Sequence, residues 1–337
     1  MIDWLDIVIK VPHTPIQAGH MISVLPCGEV EWDSAKLKPV PGSYDTSVRV
    51  RSQGAASADL AAEIYISGNP SKFLQGHNVF GSNNISALAS AMVKQIFAFL
   101  DIQDALTIAR IARGDFSVKR VDITESWAFP SRREVKDVLG CMAIKSRSRM
   151  GRPNTRGGTV YHGQNSRRHT FKFYCKGEEL DAGKKHRLHE SLIDTPIKDF
   201  ADNLLRGELT LRSKELNDLE LNTGSDLTPE VISGLFVDYF GRIEMAAQAD
   251  IPSEEILALS RSLRSSYLLW KEGINLRSMM SETTFYRHRA GLLPSGVDIA
   301  LPCEKSDVNV VRMVRTITGV PVGTPDWAYE QGLVFQP

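Results

Sequence analysis

Several stretches of this chain alternate apolar and polar side chains with a period of two, which predicts strands that bury one face and leave the other polar. In residues 60–66, Leu60, Ala62, Ile64 and Ile66 take one side while Glu63 and Tyr65 take the other. Residues 116–124 put Val121 and Ile123 opposite Arg120, Asp122 and Thr124. Phe171, Phe173 and Cys175 oppose Lys172, Tyr174 and Lys176, and Leu205, Leu209 and Leu211 oppose Arg206, Glu208, Thr210 and Arg212. Between these runs the period lengthens to that of a helix. Asn84 caps a predicted helix over 85–100 with a stripe of Ile85, Leu88, Met92, Ile96 and Phe99, and Ser131 opens another to about residue 144 along Val135, Val138, Leu139 and Met142. Residues 1–54 break short apolar runs with proline and glycine, which reads as strands and loops.

The last third is mostly helical. Thr228 with Pro229 starts a predicted helix through about residue 247, and Ser253 with Glu254 and Glu255 starts a second through about residue 272. A short helix over 276–280, a turn at Ser281 and a helix over 283–293 form a helix-turn-helix pattern that would present Tyr286, Arg287, His288 and Arg289 to DNA; a plain packing hairpin is the alternative. Residues 306–319 read as one more helix, with the tail packing back through Trp327. The expectation is an α+β protein: a catalytic part over 1–215 built on an antiparallel sheet covered by helices, and a mainly helical part over 216–337.

Composition narrows the class. The 337 residues suffice for about two domains, and 42% apolar residues supply real cores. The start has no basic, long-apolar leader pattern, and no uncharged apolar run approaches the ~18 residues of a membrane span. Four cysteines without CxxC spacing argue against a zinc ribbon or disulfide framework and for a reducing cytosol. The formal net charge is zero, yet residues 145–176 hold nine lysines and arginines and no acid. So local an excess marks a surface for a polyanion, nucleic acid being the commonest.

Within that segment Tyr174 falls on the polar side of its strand between Lys172 and Lys176. A phenol titrates near 10, so about one in a thousand is phenolate at neutral pH, and flanking ammonium groups would favour the charged form. Glu63, Asp122 and Glu208 occupy the corresponding faces of three other strands, so all four groups could converge on one surface. Carboxylates beside a basic patch suit a bridging magnesium or manganese ion, and a metal that polarises a phosphodiester with a tyrosine in line is a design for DNA strand cleavage. The alternative is ordinary ion pairing with Arg120, Arg206 and Arg212.

The chain resembles the replication initiators of filamentous bacteriophages, the gene II and phage X family, which are similar to rolling-circle initiators of small plasmids. The resemblance rests on MIDWL at the start, NPSKFLQGHNVFGS around His77, RVDIT around Asp122, GTVYHGQNSRRHTFKFYCK, LLRGELTLRSKEL and the late TPDW, in that order. It implies a cytoplasmic, site-specific nickase of the infected host that cuts one strand of origin DNA, leaving a 5′-phosphotyrosine and a free 3′-hydroxyl for a host polymerase and helicase, and later rejoins the displaced strand. By the same resemblance Tyr174 is the nucleophile beside Lys176, Asp122 and Glu208 hold Mg2+ (or Mn2+), His77 is a nitrogen ligand or phosphate contact, and Glu63 is a fourth ligand. Tyr161 in TVYHG resembles a plasmid-initiator tyrosine and competes for the nucleophile role. There is no His-hydrophobe-His pair, the usual metal motif of rolling-circle endonucleases. Arg147, Arg149, Arg152, Arg156, Arg167, Arg168, Lys172, Arg287 and Arg289 are the expected DNA contacts. Two other classes remain open: a non-catalytic single-stranded DNA-binding protein, and a metal nuclease that uses water.

Overall fold

A computed structural model describes residues 1–183, 186–245, 253–295, 297–300 and 322–336. The strands are β1 (Ile2–His13), β2 (His20–Val24), β3 (Val30–Ala35), β4 (Lys38–Pro41), β5 (Ser47–Ala55), β6 (Ala61–Gly68), β7 (Ser117–Ala128), β8 (Ser146–Arg147), β9 (Asn154–Arg156), β10 (Thr159–His162), β11 (His169–Cys175), β12 (Leu204–Arg212) and β13 (Glu244–Met245). Nine of them form one antiparallel sheet in the order β4-β5-β6-β1-β7-β12-β11-β10-β9. The helices are α1 (Pro70–Gln75), α2 (Ile85–Leu100), α3 (Ala105–Ala112), α4 (Arg132–Lys145), α5 (Lys176–Asp181), α6 (Ile197–Asp202), α7 (Ser213–Asp218), α8 (Pro229–Gly241), α9 (Ser253–Ala258), α10 (Arg261–Lys271), α11 (Glu282–Leu292) and α12 (Asp326–Glu330). Among the described residues, no helix is long and apolar enough to cross a membrane.

The period-two runs do what their pattern demands. Ile7, Ile64, Ile66, Val121, Ile123, Leu209, Leu211, Phe171 and Phe173 line one face of the sheet, where α2, α4 and α8 cover them with Leu88, Met92, Leu139, Met142 and Phe236. Asn84 and Ser131 cap α2 and α4 through their side chains, as expected of those residues. The other face is polar, and one end of it is closed by a second, smaller core of Val79, Phe80, Leu180, Leu192, Ile197, Leu204 and Leu333, with Trp327 packed on it. The tail does return through Trp327, whose ring meets Phe80 and Phe200 edge-on.

Three expectations change in detail. The helix from Thr228 ends at Gly241, the stretch from Ser253 is broken into α9 and α10, and the strand expected through Lys176 stops at Cys175, with Lys176 opening α5. The helix expected over 306–319 lies outside the described residues. A third core, around Tyr267, Trp270, Phe285 and Leu292, holds α10 and α11 together.

Candidate active site

The polar groups gather where β1, β7, β12 and β11 run side by side. Cross-strand register places Lys172 opposite Glu208 and Glu208 opposite Thr124; one step along, Tyr174 faces Arg206 and Arg206 faces Ser126. The Tyr174 hydroxyl donates to Glu208 Oε2 at 3.2 Å, and Lys172 Nζ reaches Glu208 Oε1 at 2.8 Å. Arg120 grips Asp122 through two bonds of 2.8 and 2.6 Å.

Asp3 enters from β1 where the register with β7 slips between Ile2 and Trp4, and its Oδ1 accepts from Asn69 at 3.1 Å and Asn78 at 2.7 Å. Asn78 in turn accepts from Lys176 Nζ at 2.9 Å, and Lys176 also pairs with Glu179 at 2.5 Å. The guanidinium of Arg206 is 1% exposed and holds the 76–80 loop by donating to the carbonyls of Asn78 and Val79, with Nε on Ser126 Oγ at 3.0 Å. That loop turns at Gly76, whose φ of +81° suits glycine and where a Cβ would collide with the Tyr44 ring.

Electrostatics overturn the expected activation of the tyrosine by its neighbouring lysines. Tyr174 is buried, and burial followed by the Glu208 charge raises its pKa well above the usual value, so it is no ready-made phenolate. Lys172 lies 5.3 Å from the ring centre with its ammonium committed to Glu208, and Lys176 turns to Asn78 and Glu179. Burial pushes Glu208 up to about 8; Lys172 pulls the other way, and Asp3 and Asp122 add to the rise. Burial lowers Lys176 to about 8, while Glu179, despite its own burial, is drawn down to about 2 by Lys176.

The four expected metal ligands do not assemble. His77 Nε2 faces the carbonyl of Leu333 at 2.8 Å and Nδ1 accepts from the Val79 amide at 3.3 Å, so both nitrogens are occupied in a packed loop. Glu63 shares the polar face but pairs with Lys10, six residues along β1 from the Trp4 that faces Asp122; at ~3.3 Å per residue this is about 20 Å away. Asp122 is held by Arg120, and Glu208 by Lys172 and Tyr174. Among the described residues, no three His, Cys, Asp or Glu side chains stand close enough to hold a metal. Magnesium is commonly held by one or two carboxylates together with substrate phosphates and water, and Asp122 and Glu208 are the carboxylates that would serve if their present partners gave way.

The packed state of His77 has a measurable consequence. Burial, helped by Lys176 and Arg206, lowers its pKa from 6.5 to about 4. Between those values the unfolded chain binds the proton that the fold refuses, so stability is full above 6.5 and falls as the pH drops towards 4. The loss between pH 7 and pH 5 is about 2 kcal/mol from this group. Burial of His162, which lowers it to about 4, acts in the same direction. Urea midpoints at the two pH values should differ accordingly, and His77→Gln should shrink the difference; equal midpoints in the wild type would contradict this.

The basic segment is less free than its composition suggests. Arg149, Arg156 and Arg167 are exposed, as is Arg147. Arg168, however, is bound to Glu215 at 2.6 Å and to Asp218, while Arg152 and Arg289 share Asp298, at 2.5 Å and at 2.7 and 2.8 Å. In the helical part His288 is buried against Ser266 Oγ at 2.7 Å, which leaves Tyr286 and Arg287 as the exposed members of the expected reading face. Tyr161 sits across from Lys172 on β10, half-buried.

Asp3, Asn78, Glu179 and the inward role of Arg206 were missed from sequence. The available signal for Asp3 was its place among the apolar residues of IDWLDIVI, which it shares with Asp6, and for Arg206 its place two residues before Glu208 on the same face.

The architecture is thus that of an α+β protein whose antiparallel sheet carries a buried tyrosine, carboxylate and lysine cluster beside an arginine-rich edge. The family of the phage replication-associated protein matches in two parts, its N-terminal part over residues 1–230 and its C-terminal part over residues 251–334. The chain is 38% identical over 328 residues to the replication-associated protein of Enterobacteria phage I2-2, covering 96% of this chain and 95% of that one. It therefore belongs to the gene II family of phage replication initiators.

Proposed function

We propose that this protein nicks one strand of phage origin DNA by transferring a phosphodiester to Tyr174. The observation that carries the reading is the hydrogen bond from the Tyr174 hydroxyl to Glu208 Oε2. A phenol whose pKa is raised needs a base at the moment of attack, and Glu208, paired with Lys172 and with its proton affinity raised by burial, is the carboxylate within reach of the hydroxyl. In the step, the phenolic proton passes to Glu208, the tyrosine oxygen bonds to phosphorus and the P–O3′ bond breaks. The departing 3′-oxygen takes its proton from Lys176, a competent acid because burial has lowered its pKa to about 8. Lys172 supplies positive charge beside the reacting phosphate. The phosphotyrosine ester keeps the bond energy, so a later 3′-hydroxyl can reverse the reaction and close a circle. Tyr174 is buried, so its hydroxyl must become accessible before a DNA strand can reach it.

The decisive experiment is incubation with supercoiled origin DNA and magnesium, followed by a denaturing gel. A nicked circle with protein attached supports the tyrosine reading. Nicking without attachment assigns the nucleophile to water, and binding without nicking assigns the protein to the single-stranded DNA binders. Chelation with EDTA in the same assay measures the magnesium dependence that the family resemblance leads one to expect.

Exposed arginines of the basic segment should behave as phosphate contacts. Arg149→Ala, Arg156→Ala and Arg167→Ala should each weaken binding equally on all sequences and reduce the salt slope, −d log K/d log[salt], by about 1. An unchanged slope in all three would place the DNA elsewhere.

A further inference from the structure

Beside Tyr174, on the far side of Arg206, lies a cavity of about 180 Å³. It is separate from the tyrosine and glutamate pair, and the nicking chemistry does not use it. Phe80 and Phe200 contribute aromatic walls, their ring centres 6.0 Å apart and nearly perpendicular. Thr124, Ser126 and Asn83 contribute polar groups, with the Met1 ammonium, which donates to the Thr124 carbonyl at 2.6 Å, and Glu125 as charged neighbours; the Oδ1 of Asn83 is buried with no hydrogen-bond partner among the described residues while its Nδ2 donates to Ser233 at 3.2 Å. One side is closed by the segment at Val322, whose amide donates to the Ser126 carbonyl at 2.7 Å.

The size and lining select the ligand. A protein cavity of about 150 Å³ admits a benzene ring, so this one admits a single heteroaromatic ring. The guanidinium of Arg206 is turned to the Asn78 and Val79 carbonyls and to Ser126, which leaves the cavity a poor phosphate site. Aromatic side chains with an amide and two hydroxyls are the groups that hold an unstacked nucleobase, because every base offers a π-face and a hydrogen-bonding edge. Ser126 is two strands from Tyr174 in register, about 10 Å away at the usual strand spacing, which is within reach of a base neighbouring a phosphate held at the tyrosine.

We propose that this cavity receives one unstacked base of the strand to be cut, close to the scissile phosphate, and so sets where along the strand the tyrosine attacks. The proposal rests on the nicking reading for its purpose, but its test does not need cleavage. Binding of single-stranded oligonucleotides spanning the origin nick is measured with an abasic residue moved one position at a time. One position next to the nick should lose about ten- to a hundredfold in affinity, the scale of a single base stacked on an aromatic side chain. Phe200→Leu should abolish that positional difference while leaving the affinity for the abasic strand unchanged. Asn83→Ala, which removes no apolar packing, serves where the Phe200 variant does not fold, and should reduce the difference severalfold. A flat response at every position in the wild type, or a positional difference that survives in both variants, would overturn the proposal. Covalent attachment to Tyr174 is scored separately on the intact strand, so a flat abasic scan with normal attachment rejects the pocket alone, and a positional abasic response without attachment rejects the nicking reading alone.

Discussion

Tyr174→Phe is expected to abolish both nicking and covalent attachment, with a fall on the order of 10⁴-fold or more, the scale seen when a covalent nucleophile is removed. The substitution keeps the ring and its packing beside Lys172 and deletes one hydroxyl whose partner is Glu208 at 3.2 Å. Stability should therefore change by only about 1 kcal/mol, and DNA binding should persist. Tyr161→Phe should nick normally, since Tyr161 lies across from Lys172 on the neighbouring strand and the Tyr174 hydroxyl has the carboxylate. Glu208→Gln should lose on the order of 10²–10⁴-fold in rate, the range of a general base. If Tyr161→Phe is the inactive variant the nucleophile is misassigned, and if both tyrosine variants still nick the chemistry belongs to water.

The second large effect concerns folding. Arg206→Met should destabilise the protein by about 3 kcal/mol or more, read as a lowered urea midpoint. The arginine is buried almost completely, and its removal leaves the Asn78 and Val79 carbonyls and Ser126 Oγ without their donor. Methionine fills much of the volume but supplies no N–H, so the loss measures the hydrogen bonds rather than a cavity. The same residue pins the loop that carries Asn78, and through Asn78 it supports both Asp3 and Lys176. Nicking should fall with stability, and an unchanged midpoint would mean that the loop is held by the second core alone.

Much of the fold was legible in the chain because period-two and helical patterns report burial directly. The strands around Ile64, Ile123, Phe173 and Leu209 and the helices capped by Asn84 and Ser131 lie where their patterns put them. Alternation also assigned Glu63, Asp122, Tyr174 and Glu208 to one face. What alternation cannot report is position along a strand relative to its neighbours, which depends on register. Register brings Glu208 to Lys172 and Tyr174, and leaves Glu63 far down β6.

Charge divides along the same line. The sequence by itself determined that residues 145–176 are basic without compensation from within, because composition is a local property. Only the tertiary structure decided which of those charges are free. Asp298, Glu215, Asp218 and Glu208 arrive from later in the chain to occupy Arg152, Arg168 and Lys172, while Arg149, Arg156 and Arg167 stay exposed. Proton affinities follow suit. A tyrosine between two lysines reads as activated in one dimension, yet burial and a neighbouring carboxylate raise its pKa, because desolvation and through-space charge act over a few ångströms and take no account of sequence distance.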